Sequence, residues 1–378
     1  MLVPEYVTIV GVTGGPCAGK SSVLSAGRRR IENSGRAAYV LKETATDLIE
    51  AGIKLKQAVA AQDWAKVRKY QRIIMRVQYA KEMSLIESIV MEGEPAVLFV
   101  DRPIADGCAY LPEGPDGDNM WSELAHEIGL TPHQVLSRYH GVIKMTTAAL
   151  DAEEFYTCAN NEARDEPTEL ARYLDQRIEQ VYLAHPHLAI IDNSTDFEEK
   201  KKRALQALCR IAGIPEPLEI ERKYEIEYPC FPHFPMHRTV EIEQIYLLAD
   251  NLREEVRVRR RTWGSSSIYY MTKKIEIMPG KRIETEKMID WETYYRLAEA
   301  RDTSRGIVRK NRTCFLWKSQ HFELDVFNNL DRALSILEIE VPDLDHKPEL
   351  PPFIRVIKEV TENPEYKTHA LALRAKSV

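Results

Sequence analysis

The sequence has no CxxC pair, no His/Cys group of zinc spacing, no long apolar run, no internal repeat, no low-complexity tract and no positive-charge surplus. Six cysteines (Cys17, Cys108, Cys158, Cys209, Cys230, Cys314) stand far apart, which argues against a zinc site or a disulfide framework and predicts reduced thiols in a cytoplasmic protein. The longest apolar stretches, such as Ala96 to Val100 and Leu188 to Ile191, fall far short of the roughly 18 residues of a membrane span. Met1 leads straight into a strand-like Tyr6 to Val12 with no basic segment or cleavage site, so no secretory signal is expected. Lys plus Arg number 52 against 58 Asp plus Glu, and the net charge of −6 argues against bulk nucleic-acid binding.

What is present is a globular composition, 44% hydrophobic and 29% charged, in 378 residues, a length that suggests two domains. Residues 1–212 alternate apolar strand-like runs with polar helical stretches, the rhythm of an α/β domain with a parallel sheet and flanking helices. The expected strands are Tyr6 to Val12, Ala37 to Lys42, Ala96 to Asp101, Tyr139 to Met145 and Leu188 to Asp192, with a long helix over Trp64 to Met91. Ile211 to Pro217 carries a glycine and two prolines and reads as the linker, leaving 213–378 as a second domain. There the texture changes to eight short alternating runs between Leu218 and Val341, predicting an antiparallel eight-stranded β-barrel. A helix is expected at Trp291 to Ala300 and another at Glu365 to Lys376.

Gly14, Gly15, Pro16, Cys17, Ala18, Gly19, Lys20 and Ser21 spell GxxxxGK[ST] between a predicted strand and a predicted helix, with Ser22 following. In that context glycine N–H groups and the helix N-terminus cradle phosphates, Lys20 reaches the β/γ-phosphates and Ser21 offers its hydroxyl to Mg²⁺. Asp101, closing an apolar strand, is the second magnesium candidate, the alternative being a cap or a surface pair with Arg102. Glu43 is either a general base for an acceptor hydroxyl or the cap of the helix over Ala45 to Glu50. The segment Asn160 to Glu166 is either a lid that brings Arg164 to transferring phosphate or a solvated loop, and Asn193 is either a base contact or part of a turn.

In the second domain Glu219, Glu221 and Lys223 fall on one strand face, because side chains alternate with period two. The same spacing recurs in Arg257/Arg259/Arg261, Thr272/Lys274, Arg282/Glu284/Glu286, Lys310/Arg312, Glu323/Asp325 and Glu338/Glu340. A barrel interior carrying both signs suits carboxylates that hold a divalent metal and basic groups that clamp a polyphosphate.

The order GGPCAGKSS, VLKETAT, LFVDRPIADG, the Arg164 segment and IIDNS resembles the P-loop kinase-like domain of the NadR group, over about residues 5–210. That resemblance implies nucleotide binding and, in some relatives, nucleoside phosphorylation. ExExK, RxR, TxK, RxExE, KxR and late acidic strands, in that order, resemble the CYTH superfamily of triphosphate tunnel proteins over about 216–345. That resemblance implies metal ligation by Glu219, Glu221 and Glu340, with Glu338 or Asp325, using Mg²⁺ or Mn²⁺. It assigns phosphate contacts to Lys223, Arg257, Arg259, Lys274, Arg282, Lys310 and Arg312. Arg260, Arg261 and the proline-rich Tyr228 to Pro235 depart from the pattern. Fusion of the two resembles a smaller group with a member that binds GTP and phosphoinositides. The leading expectation is therefore ATP or GTP bound, hydrolysed or used for phosphoryl transfer at the P-loop, beside a tunnel that binds or hydrolyses a triphosphate or polyphosphate. The alternatives are a GTP-binding switch whose barrel takes an inositol phosphate headgroup at a membrane surface, and an RNA 5′-triphosphate processor.

Overall fold

The computed structural model describes residues 3–156, 167–214, 218–231, 234–249, 254–278, 281–341 and 345–375. The chain divides into two compact units after Ile214.

The first unit holds a parallel sheet of five strands, β1 (Val7–Thr13), β2 (Ala37–Leu41), β3 (Ala96–Asp101), β4 (Gly141–Met145) and β5 (Leu188–Ile191), in the order β2-β3-β1-β4-β5. Each lies within one or two residues of its expected bounds. Val97, Leu98, Phe99 and Val100 are all wholly buried, as expected for a strand covered on both faces. Helices Lys20–Glu32 and Phe197–Ile211 cover one face by packing Val23, Leu24, Ala204 and Leu208 against Val10, Phe99 and Ile143. The long helix Trp64–Glu92 starts where Asp63 accepts from the Lys66 N–H and stops at Gly93, whose φ of 73° is the left-handed cap that favours glycine. Its inward row includes Gln71, Gln78 and Glu82 beside Met75 and Ile86, more polarity than a purely structural face needs. Parallel pairing puts Val12 level with Asp101, so β1 and β3 end together, at the edge where ligands of such sheets bind.

The second unit is antiparallel. Its strands are β6 (Leu218–Ile226), β7 (His237–Leu247), β8 (Glu254–Trp263), β9 (Ser266–Met278), β10 (Lys281–Ile289), β11 (Val308–Trp317), β12 (Gln320–Phe327), β13 (Leu334–Glu340) and β14 (Val356–Glu359). They form a sheet of nine strands in the order β10-β9-β8-β7-β11-β12-β13-β6-β14, where eight were expected. The ninth, β14, is four exposed residues without the alternation that marks a strand in sequence, and pairing with β6 is what extends it. β10 also pairs with β6, through Arg282↔Glu219 and Ile283↔Leu218.

Apolar residues line the face opposite the charged one. Ile220, Tyr224, Phe315, Phe322, Leu324 and Leu337 make one core, and Phe315 stacks on Phe322 with ring centroids 5.5 Å apart. Helix Trp291–Glu299 covers a second, around Val258, Ile289 and Tyr294. The helix expected over Glu365 to Lys376 is instead broken into a turn at Pro364–Tyr366, a helix at Thr368–Leu371 and a turn at Ala372–Arg374. Tertiary bonds override local propensity there: Tyr366 donates to Glu225 at 2.6 Å and Lys367 to Glu276 at 2.7 Å. Val360, Tyr366, Leu371 and Ala372 then pack on Tyr246, Phe327 and Ile336 of the sheet.

Candidate functional site

β1 delivers the chain into the loop Gly14–Gly19, and helix Lys20–Glu32 begins directly behind it. Gly14 has φ 134°, and a Cβ there would sit 1.9 Å from the Met145 carbonyl oxygen, so only glycine fits. The loop is anchored from a distance. Asp175, on helix Thr168–Tyr182, accepts from the N–H of Gly15 at 2.8 Å and of Thr147 at 3.1 Å. Its other oxygen accepts from Lys144 Nζ at 2.5 Å, and both side chains are wholly buried. Lys144 also donates to Glu179. Lys20 is buried and donates to the carbonyls of Gly14 and Gly15 at 3.0 and 3.1 Å, while Ser21 and Ser22 are exposed at the first turn.

Asp101 ends β3 beside this loop, and Arg102 follows it with φ 59°. Arg102 pairs with Glu43 at 2.9 Å and with Asp106 at 3.5 Å. Asp106 in turn accepts from Thr13 and from Tyr182, each at 2.6 Å. Burial, partly offset by Arg102, pushes the Asp106 carboxyl above its ordinary range. Glu43 stands at the N-cap of helix Thr44–Glu50, and its side chain makes no capping bond there. Asn193, expected as a base contact or a turn residue, spends its amide internally. It donates to the carbonyls of Thr147 and Leu150 and accepts from Lys200, tying down the loop after β4. Arg164 and its segment lie outside the described residues. The sequence reading missed Lys144, Asp175 and Asp106; the one visible signal was a lysine in the buried strand GVIKM.

In the second unit the registers place the predicted charges on one continuous face. Lys223 is opposite Glu338, Arg312 opposite Asp325, Arg257 opposite Thr272 and Glu284 opposite Lys274. All seven expected basic residues are buried, as are Glu221, Asp325 and Glu338. They hold one another. Lys223 donates to Glu338 at 2.5 Å and pairs with Glu221 at 3.1 Å, which also meets Arg282 at 3.2 Å. Arg312 reaches Asp325 and Glu338, each at 2.6 Å, and Lys310 pairs with Asp325. Arg259 pairs with Glu286 at 2.6 Å and Lys274 with Glu284 at 3.0 Å. Arg261 is also buried on this face, whereas Arg260 turns outward to Glu243. Glu340 is exposed, level with Glu221, and the Glu219 side chain lies outside the described set.

Burial would raise Glu338, but Lys223 and Arg312 outweigh it and hold its carboxyl well below the usual range; Arg312 and Lys310 likewise lower the Asp325 carboxyl against the effect of burial. Burial pulls Lys310 down to about 8, with the Arg312 charge adding to the effect. The acidic donors Glu221, Glu338 and Glu340 are all oxygen, which suits Mg²⁺ or Mn²⁺. Among the described residues no three His, Cys, Asp or Glu converge on one point.

Two predictions follow from these buried pairs. Lys144→Met strands Asp175 and should cost about 3–5 kcal/mol by urea unfolding, with weaker nucleotide affinity; a change under about 1 kcal/mol with unaltered affinity would show that the pair does not hold the loop. Glu338 and Asp325 have lowered pKa values, so the stability they contribute is present above the ordinary carboxylate range and lost as pH falls through and below about 4. Urea midpoints of the second unit at pH 7 and pH 3 test this, and equal midpoints contradict it.

No curated protein matches this chain. Among solved structures, the inorganic triphosphatase NE1496 is 32% identical, covering 42% of this chain and 100% of that one, with a TM-score of 0.31. HpAC1 of Hippeastrum is 15% identical over 33% of this chain and 80% of its own, TM-score 0.27. The PH1819 protein of Pyrococcus horikoshii is 20% identical over 34% and 80%, TM-score 0.28. The AAA domain family model matches residues 9–200, which span the phosphate loop, Asp101 and Asp175. The chain therefore belongs to the AAA domain family.

Proposed function

We propose that this protein is an enzyme with two phosphate sites: a nucleotide site at Gly14–Ser22 that binds ATP or GTP with Mg²⁺, and a metal-dependent triphosphate tunnel in the second unit. The observation that carries the proposal is the ring of buried, mutually paired charges of both signs on one face of the antiparallel sheet. Surplus buried charge is costly, and a fold that keeps so much of it is suited to a ligand that is itself highly charged. Pairing of β10 with β6 supports a wall of eight strands closed around that face, with β14 added outside the ring.

In this reading an incoming triphosphate takes over the basic groups. Lys223, Arg282 and Arg312 exchange carboxylates for phosphate oxygens, and Lys274, Arg257 and Arg259 extend the clamp along the chain of phosphates. Glu221, Glu338 and Glu340, with Glu219, are thereby released to hold Mg²⁺ or Mn²⁺. The ion, when bound, supplies Lewis-acid charge and an activated water. Hydrolysis of a triphosphate is the activity that the name of NE1496 carries; here the charge arrangement supports it. At the nucleotide site, Lys20 would leave the loop carbonyls for the β/γ-phosphates, with Ser21 and Asp101 as magnesium ligands.

³¹P NMR with tripolyphosphate, ATP and GTP in Mg²⁺ or Mn²⁺ tests this assignment. Glu221→Ala should slow tripolyphosphate hydrolysis at least about 100-fold while nucleotide binding persists, and Lys20→Ala should abolish nucleotide binding while tripolyphosphate hydrolysis persists. Saturable binding of inositol phosphates with no turnover of any triphosphate would favour the switch reading instead.

A further inference from the structure

Helix Trp64–Glu92 carries a carboxylate where an apolar side chain would pack as well. Glu82 is 1% exposed, and both of its oxygens are engaged. One accepts from the Gln78 amide at 3.1 Å and from the Tyr139 hydroxyl at 2.9 Å, and the other accepts from Arg138 at 2.9 and 3.2 Å. Each neutral partner passes the connection on. The Gln78 carbonyl oxygen accepts from the Thr44 hydroxyl, and the Tyr139 oxygen accepts from the Ile104 N–H at 3.0 Å. Thr44 directly follows Glu43, and Ile104 lies two positions after Arg102. Glu43 and Arg102, which pair at 2.9 Å, are thus each tied to the same buried carboxylate by a separate chain of two hydrogen bonds. The turn that this network reaches is strained. Arg102 has φ 59°, a left-handed conformation that a residue other than glycine keeps only where its surroundings over-determine it. Its N–H donates to the Val12 carbonyl at 3.0 Å, and Pro103 packs so close to β1 that a Cβ on Gly11 would sit 2.6 Å from its ring. Tyr139 holds the next N–H along the chain, that of Ile104.

We propose that Glu82 is a positioning residue of the nucleotide site: from inside the domain it sets the places of Glu43 and of the Asp101–Arg102 turn beside the phosphate loop, and through Asp101 the affinity for the magnesium-bound form of the nucleotide. The role rests on the nucleotide-site reading above. A buried ion pair is often no more stabilising than well-packed apolar residues of the same volume, so its use here is the geometry that it fixes. Asp101 closes β3 immediately before the strained residue, and the turn decides where its carboxylate stands. Glu82 acts at one remove, through Tyr139 and Gln78. A partner lost on either side lets one half of the Glu43–Arg102 pair shift, while the loop Gly14–Gly19 keeps its own anchor in Asp175 and Lys144. Metal-free nucleotide, held by the loop, is therefore indifferent to the network, and magnesium nucleotide is not.

Tyr139→Phe and Thr44→Val each remove one hydroxyl of the network and keep the buried volume. Calorimetry of the full-length protein with ATP and with GTP, each in excess Mg²⁺ and in EDTA, reads the effect, with urea unfolding as the measure of stability. Each variant should weaken binding of the magnesium nucleotide about 10-fold and leave the metal-free affinity within about 2-fold of the parent. A merely structural role would lower both affinities together, in step with the unfolding midpoint. Glu82→Gln, which keeps the shape and strips the charge, should show the same split; if it does not fold, the two hydroxyl variants carry the test. In an Asp101→Asn background Tyr139→Phe should cost less than about 2-fold, because the residue through which it acts is already gone. The role is overturned if the two nucleotide forms weaken alike, if neither hydroxyl variant alters either affinity, or if the loss from Tyr139→Phe stays whole in the Asp101→Asn background. A parent protein that binds no nucleotide in either condition refutes the nucleotide-site reading, and the positioning role with it.

Discussion

Buried charge held by opposite charge is the constraint on which both units depend. Lys144 and Asp175 are wholly buried in the first, and Lys310, Arg312, Asp325 and Glu338 form a continuous network in the second. Taking such groups from water costs several kcal/mol each, a cost met only while every member keeps its partner. A well-packed apolar interior would be as stable or more so. The network therefore makes sense as a preorganised surface whose partners can be traded for those of a polyanion.

The two units use that constraint differently. In the first, a fixed pair makes a rigid anchor: Lys144 aims Asp175, and Asp175 holds the Gly15 N–H and so the curvature of the phosphate loop. A second carboxylate, Asp106, couples the start of the same loop to Arg102 and through it to Glu43. In the second unit the pairs are many and alternative. Arg312 pairs with Glu323, Asp325 and Glu338, and Lys223 with Glu338 and Glu221, so a ligand can displace one without stranding the rest.

Much of this was legible in residue order. GGPCAGKSS lies between β1 and its helix, the strand AVLFVD ends at Asp101, and the period-two spacing of Glu221/Lys223 or Lys310/Arg312 fixed which face each side chain would take. These signals are local. What stayed hidden depends on tertiary contact. Asp175 meets Gly15 across 160 positions, and nothing near either residue announces it. Arg102 reads as a neighbour of Asp101 yet also reaches Glu43. Asn193 looked available at a strand end but is consumed by the carbonyls of Thr147 and Leu150. The run Glu365 to Lys376 has helical composition, but Tyr366 and Lys367 are drawn to Glu225 and Glu276 and the helix breaks. β14 acquires its strand character from β6 alone.

The most direct test of the exchange at the heart of this account is the pKa of the Lys310 ammonium, followed by ¹⁵N NMR with and without saturating tripolyphosphate. The account predicts a value of about 8 in the free protein, where burial and Arg312 outweigh Asp325, and a clear rise when phosphate oxygens arrive. A pKa that does not move when tripolyphosphate is bound would contradict it, because the polyanion would then bind without entering the charge network.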